Sequence, residues 1–403
     1  MSAATLIYLA CAFAALVLGA WYYGQGQAVR LRLAEGVRPH SRAPYHGALC
    51  AVSAALAGGA AWLATLALRA GPVWQASGFG VATAAGALAA GRFAGPDFRA
   101  RLAAEGLARG AMLAAASLSV LVSLGIVLTL LVEALLFFGD VSVLEFVFGT
   151  QWSPLSAMRD GDGAAAGAYG SLPVLAGTFL IALVAVAVAG PVGVMIAVYL
   201  SEYASPRVRG LLGGVVEVLA GIPPVVYGLF AILAMGPALR DAGQMVGLAI
   251  PVQSALSAGL VMAIMILPLV SALSADAMRA VPRTLRDAST AMGATPSETV
   301  RAVVLPSAAP GILAGVLLAT SRAVGETMIV LLAAGRAAPL SANPLDSVTT
   351  VTVQIVALLT GEPVFDNAKT RAAFALGLLL FVLTLALNTL ALAGLRRLKG
   401  RQA

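Results

Sequence analysis

Nine apolar runs, each about as long as a bilayer core is thick, constrain this chain more than any other feature. They are Ala3–Tyr23, Gly47–Leu68, Val73–Ala90, Ala111–Phe138, Ser171–Leu200, Leu211–Met235, Ile250–Ala275, Gly311–Ala334 and Ala372–Leu395. The third is short, rich in Ala and Gly, and interrupted by Gln75 and Ser77. In hydrocarbon every backbone N–H and C=O must be satisfied within its own segment, so runs of this length become helices. Hydrophobic residues make up 60% of the chain and charged residues 11%, far from the roughly one-quarter charged composition of a soluble domain. The expectation is an all-α polytopic membrane protein with about nine transmembrane helices.

Charge fixes the expected orientation, because cytoplasmic segments hold the excess of Lys and Arg. Segments 24–46, 91–110, 201–210, 276–310 and 396–403 carry 18 of the 25 basic residues. The alternate segments carry five: Arg159, Arg240, Arg336, Lys369 and Arg371. Arg69 lies at a helix end and Arg322 inside a span. This predicts an outside N-terminus and a cytoplasmic C-terminus in the plasma (inner) membrane. The net charge of +7 is then topological, with some attraction to anionic lipid and no need of nucleic acid. The N-terminal run lacks a basic leader, since its first positive charge is Arg30, so it reads as a span and not a cleaved signal. Cys11 and Cys50 have no CxxC or His partner nearby, which suggests neither a disulfide framework nor a metal site. His40 and His46 read as solvated loop residues.

One cytoplasmic segment, about 276–310, stands apart. It holds Asp287-Ala288-Ser289, then Gly293, then Val303-Val304-Leu305-Pro306, with arginines on its flanks. A helix-forming polar segment broken by Gly between two spans is a place for something to dock. The pattern resembles the EAA signature of ABC importer permeases: an acidic residue and two alanines, three residues, Gly, nine residues, Ile, any residue, Leu-Pro. Asp287, Ala288, Gly293, Leu305 and Pro306 keep that register. Asp for Glu at 287, Ser289 for the second Ala and Val303 for Ile depart from it conservatively. The resemblance implies a coupling helix seated in a cleft of a cytoplasmic ATPase. Charge alone had already put this loop on the side where ATP is.

The likeness extends over nearly all of residues 111–403, six spans with the loop between the fourth and fifth. Phe148-Gly-Thr-Gln-Trp152-Ser-Pro154, Gly170-Ser-Leu-Pro173, Tyr199-Leu-Ser-Glu-Tyr203, Glu217-Val-Leu-Ala-Gly-Ile-Pro-Pro224-Val-Val-Tyr227-Gly and Arg322-Ala-Val-Gly-Glu-Thr-Met328 resemble the PstC-type permeases of phosphate importers. The resemblance implies a type I ABC permease core at 111–403 that moves inorganic phosphate inward. It implies as partners a PstA-like second permease, two copies of a PstB-like ATPase and a PstS-like phosphate-binding protein. No cofactor is expected in this chain, ATP and Mg being bound by the ATPase. The sister PstA-type permease, or a permease for another oxyanion, remains the alternative. Residues 1–110 form a three-span extension with basic linkers, for which an assembly role is expected.

Three charged residues inside the core spans carry the expected chemistry. Placing Arg322 in a span costs on the order of 3 kcal/mol, so it calls for a function. Its planar donor fork suits a tetrahedral oxyanion. Glu326 follows one turn on and neutralises it or shares its task; the resemblance places Arg322, Glu326 and Thr327 on the phosphate path. Glu217 precedes Ile222-Pro223-Pro224, where prolines break the helix, and either gates the path or satisfies freed backbone groups. Glu133 lies near an outer helix end and reads as snorkelling. Trp152, in the outer segment Asp140–Gly170, is the expected anchor for a binding protein.

Other classes fare worse. No G-x-x-x-x-G-K-[ST] run occurs to cradle ATP phosphates, and no Ser/His/Asp constellation suggests a hydrolase. A secondary transporter would give the Asp287–Pro306 loop no purpose, and the two halves show no convincing inverted repeat.

Overall fold

The computed structural model describes residues 3–34, 40–68, 72–92, 98–154, 168–360 and 368–399. The chain forms two compact units, Met1–Gly125 and Ile126–Ala403. The first contains α1 (Ala3–Ala34), α2 (Ala43–Ala67), α3 (Pro72–Arg92) and the start of α4 (Ala100–Asp140). The three N-terminal runs are thus helical. Small residues set their spacing. A Cβ on Gly58 would stand 2.2 Å from Thr83 Oγ1, and one on Gly86 would stand 2.6 Å from the Ser53 carbonyl, so only Gly lets these helices approach so closely. Their core is Ala20, Leu49, Cys50, Ala54, Ala87, Ala90 and Ala104. His46 is not the solvated loop residue expected. It lies in the first turn of α2, buried, with Nε2 unpartnered among the described residues.

The second unit continues α4 and adds α5 (Val143–Phe148), a hairpin of β1 (Trp152–Ser153) and β2 (Ala168–Tyr169), and α6 (Leu172–Val198). Next come α7 (Pro206–Gly221), α8 (Pro224–Phe230), α9 (Gly236–Met245), α10 (Ala255–Arg279), α11 (Arg283–Ala291) and α12 (Pro296–Thr299). It ends with α13 (Leu305–Val324), α14 (Met328–Ala333), α15 (Val351–Leu359) and α16 (Ala368–Lys399). Among the described residues, six helical segments are long and apolar enough to cross a membrane: 100–140, 172–203, 224–245, 255–279, 296–324 and 369–393. They match the six core runs in number and order.

Helices α6 and α10 form the centre. A Cβ on Gly259 would lie 2.5 Å from Val184, and one on Gly193 would lie 2.8 Å from Val270, so glycines again set the packing distance. The buried cluster around them takes Ile181, Ala185, Val261, Met262 and Ile266, closed by Ile329, Val330 and Val353. Among the described residues, three π-helical turns occur, at Tyr199–Tyr203, Ala231–Met235 and Val300–Val304. The first ends the α6 segment, with extended backbone at Ala204 and Ser205 before Pro206 opens α7. The other two run within two residues into a proline of a continuing helix, Pro237 and Pro306. A proline lacks the N–H and its ring crowds the carbonyl four residues back, and widening the preceding turn relieves that clash.

Two of the expected spans are corrected. The run Leu211–Met235 is not one helix: α7 ends at Gly221, and the crossing segment is Pro224–Met245. The run Gly311–Ala334 ends its helix at Val324 and restarts at Met328.

Candidate functional site

The first break is made by Pro223 and Pro224, and its carbonyl is cared for locally. Tyr227 Oη donates to the Leu219 carbonyl at 2.8 Å, joining α8 back to α7, and Ile222 N–H reaches the same oxygen at 3.4 Å. Tyr227, and not Glu217, therefore serves the freed backbone. The Glu217 carboxylate has no hydrogen bond or ion pair among the described residues and is exposed on α7.

The second break falls between Arg322 and Glu326. Arg322 occupies the last turn of α13, where the helix dipole favours a cation. Gly325 ends the helix, so the two residues are not on one continuous helix and no ion pair joins them. Glu326 Oε1 instead accepts from the Thr327 and Met328 N–H groups at 3.1 and 2.9 Å, capping α14. Thr352 Oγ1 donates to the Glu326 carbonyl at 2.7 Å. Arg322 is exposed and makes no hydrogen bond or ion pair among the described residues.

Arg322 and Glu217 meet in one cavity. It has a volume of about 330 Å³ and is walled by Ile222 and Pro224 at the first break and by Met265, Pro268 and Ala272 of α10. A second cavity, about 380 Å³, shares Val216, Glu217 and Ala272 with it and extends to Arg209 and Arg279. Together they follow α10 from Met265 to Arg279, about 20 Å at the helical rise. The α7 wall is Gly210, Gly213 and Gly214, where an added Cβ would meet open space. The arginines at the far end are engaged: Arg209 donates to the carbonyls of Leu200 and Ser201 at 2.6 and 3.0 Å, and Arg279 pairs with Asp276 at 2.8 Å. The unengaged guanidinium is Arg322. Glu326 and Thr327, expected beside it on the path, are not among the residues that line either cavity.

The loop that follows α10 is built as two short helices around a left-handed glycine. Helix α11 carries Asp287, Ala288 and Ser289. It closes at Gly293, which has φ +88°, with Gly293 N–H bonded to the Thr290 carbonyl at 3.0 Å and Ala294 N–H to the Ser289 carbonyl at 3.2 Å. This pattern needs a residue free to take positive φ. An added Cβ there would touch nothing, so the glycine is required by backbone conformation and not by crowding. Ser289 Oγ lies 3.0 Å from Thr299 Oγ1, holding α11 against α12, and Leu305 and Pro306 open α13. Leu285 and Met292 remain exposed, an apolar edge on an otherwise polar loop.

Sequence reasoning missed what anchors this loop. Arg286 pairs with Glu202 at the end of α6, and its Nη2 also donates to the Met278 carbonyl at 2.8 Å. Both partners are largely buried, and 84 residues separate them. Only the presence of Glu202 in the Tyr199–Tyr203 motif hinted at it.

Trp152 is placed differently from expectation. Its indole N–H donates to Gln354 Oε1 at 2.9 Å, and its half-buried ring packs edge-on to Phe146 and Tyr169. The side chain fastens the β1–β2 hairpin to the core and is not a free docking anchor. Residues 155–167 of the segment Asp140–Gly170 lie outside the described residues.

Residues 189–400 match the family described as the binding-protein-dependent transport system inner membrane component. The chain belongs to this family. The permease is 31% identical to the probable ABC transporter permease protein YqgH of Bacillus subtilis, over 68% of this chain and 86% of that protein. It is 32% identical to the phosphate transport system permease protein PstC of Mesorhizobium japonicum, over 64% of this chain and 80% of that one. A chain of the MetNI methionine ABC transporter, solved in inward-facing conformations, aligns at 20% identity and a TM-score of 0.42, over 57% of this chain and 94% of the other. This protein is thus a multi-pass ABC importer permease subunit.

Proposed function

We propose that this permease conducts inorganic phosphate inward, powered by a separate ATPase. The observation that carries the reading is Arg322, an unengaged guanidinium in a cavity at a helix break, with Glu217 in the same cavity. In a low-dielectric constriction a cation with a planar donor fork lowers the barrier for a tetrahedral dianion. The basic end at Arg209 and Arg279 adds an attractive field along the route. Glu217, by opposing the anion, keeps it from being held too tightly to leave. Glu326, expected to neutralise Arg322 or to share its task, instead caps α14. The PstC-type relative supports phosphate over other oxyanions, which a guanidinium alone does not distinguish.

The remaining parts follow the same reading. The α11–α12 loop, with exposed Leu285 and Met292, docks a PstB-like ATPase on the cytoplasmic side, and the ion pair Arg286–Glu202 passes its movement to α6. The ATPase binds ATP and Mg; this chain holds no cofactor. A PstA-like permease completes the path, and a PstS-like protein delivers phosphate at the outer face. The Lys and Arg distribution supports an outside N-terminus and a cytoplasmic C-terminus in the inner membrane.

The test is phosphate uptake into proteoliposomes holding the assembled transporter and its binding protein. Uptake should require ATP even when a proton gradient is held, and Arg322→Gln should reduce it to background while assembly survives. Arg322→Lys should recover part. ATP-independent uptake, or an active Arg322→Gln transporter, overturns the reading, and competition by sulfate reports the oxyanion preference.

A further inference from the structure

The permease reading leaves the N-terminal unit without a task, yet one of its cavities is lined by cations. The cavity has a volume of about 650 Å³ and lies where α2 and α4 begin, between Arg42 and Tyr45 on one side and Arg99 and Arg101 on the other. Two helix starts thus adjoin it, each adding the partial positive charge of its first turn. Ser41, buried, accepts from the Arg101 N–H at 3.4 Å and ties the two starts together.

The arginines in this cavity are unequally satisfied. Arg101 is held in place: its Nε donates to Glu105 Oε1 at 2.7 Å, and its guanidinium sits 5.5 Å from the centre of the Tyr45 ring. The side chains of Arg42 and Arg99 make no hydrogen bond or ion pair among the described residues. Three guanidinium groups therefore face one carboxylate. Like charges gathered in one concavity repel, and an anion relieves that repulsion. Two unengaged planar forks and a nearby tyrosine hydroxyl match an oxyanion with several acceptor oxygens. The volume suits a small polar ligand or a headgroup. Basic pockets between helices at a membrane surface hold lipid phosphates by the same chemistry.

We infer that this cavity of the N-terminal unit binds a phosphate group, carried by a phospholipid headgroup or free in solution, through Arg42, Arg99 and Arg101. In the orientation proposed above it opens at the cytoplasmic face. Glu105 restrains Arg101 and weakens the hold on the anion.

Two arms separate the sources. The full-length chain with Arg322→Gln, which removes the proposed pathway cation, is placed in phosphatidylcholine nanodiscs and titrated with radiolabelled inorganic phosphate. The same protein is purified with phosphatidic acid, and retained lipid is counted by native mass spectrometry. Binding in either arm should fall about tenfold or more in the pair Arg42→Gln and Arg99→Gln, and stay within about twofold in Arg109→Gln, an exposed arginine of the same α4 outside the cavity. Glu105→Gln should tighten binding about threefold, a gain that a misfolded protein cannot show. The lipid arm responding assigns a headgroup, and the phosphate arm responding assigns free phosphate. Absence of binding in both arms, or an Arg109→Gln loss equal to that of the pair, overturns the inference. Because Arg322 is absent throughout, the result does not depend on the transport reading.

Discussion

The two helix breaks that border the Arg322 cavity look alike in function and differ in construction. At Ile222–Pro223 the chain is broken by covalent chemistry, since proline cannot donate, and a tyrosine eight residues away mends the loss at Leu219. At Gly325–Thr327 no proline is present. The break is made by a glycine and by a carboxylate that prefers two backbone N–H groups to the arginine one turn before it. The first break compensates a carbonyl and the second compensates donors. A free carbonyl needs a donor and free N–H groups need an acceptor, so a carboxylate serves only the second break. That is why Glu217, at the donor-poor break, is left free to face the cavity, while Glu326 is not.

The comparison is tested hardest by removing both charges of the second break. If Arg322 and Glu326 merely neutralised each other, Arg322→Gln with Glu326→Gln would restore uptake. Because they do not pair, we expect the double variant to remain at background, with its stability loss equal to the sum of the single losses within about 0.5 kcal/mol. Uptake measured beside thermal unfolding for the singles and the double decides it. A double variant with wild-type uptake would falsify the division of labour between the two residues.

The next effect is on stability. Glu326→Ala leaves the Thr327 and Met328 N–H groups without their acceptor, at a cost of about 1–3 kcal/mol. Glu326→Gln keeps an oxygen in place and should lose less than half as much. Equal losses for the two would show that the capping is incidental. Tyr227→Phe probes the first break and should cost less, about 1 kcal/mol, because the Leu219 carbonyl keeps the long bond from Ile222. Were it to cost more than Glu326→Ala, the two breaks would rank the other way.

The same contrast explains what could be read in the sequence. Number, order and approximate position of the six core spans followed from length and hydropathy, and the glycine break between the short helices α11 and α12 from Gly293 within its polar segment. The proline break was announced by its prolines, although the long run Leu211–Met235 concealed where the crossing helix starts. The break at Gly325 was hidden, because Arg and Glu four residues apart in an apolar run look like a helical pair. Competition for Glu326 by backbone donors, settled only when α14 restarts, decided otherwise. Trp152 was misjudged for a related reason: an aromatic in an outer loop looks available until Gln354, 202 residues on, takes its N–H. Long-range partners such as Arg286 and Glu202 leave no local trace.

Glu298 offers the same device as Glu326 in the polar loop after α10, and there it is legible, since Thr295-x-x-Glu298 has the spacing of a capping box. Its carboxylate accepts from the Thr295 N–H and hydroxyl, both at 2.8 Å, while Thr295 Oγ1 accepts from Glu298 N–H at 3.4 Å. The Thr295 N–H bond first, and its hydroxyl second, hold the Glu298 carboxyl below its usual value of 4.5. A carboxylate whose folded pKa is depressed stabilises the fold above its unfolded pKa, and that contribution is lost as pH falls through the folded value. Protection of the Thr295 and Glu298 amides from hydrogen exchange, corrected for intrinsic rates, should therefore be flat around neutrality and decline as the pH drops below 4.5. Glu298→Gln should show no such decline. The effect is small because the carboxylate is fully exposed, and it is the smallest expected here. A decline of equal size in Glu298→Gln would assign the acid sensitivity to another carboxylate of the loop, Asp287 being the nearest on α11, and would remove Glu298 from the comparison with Glu326.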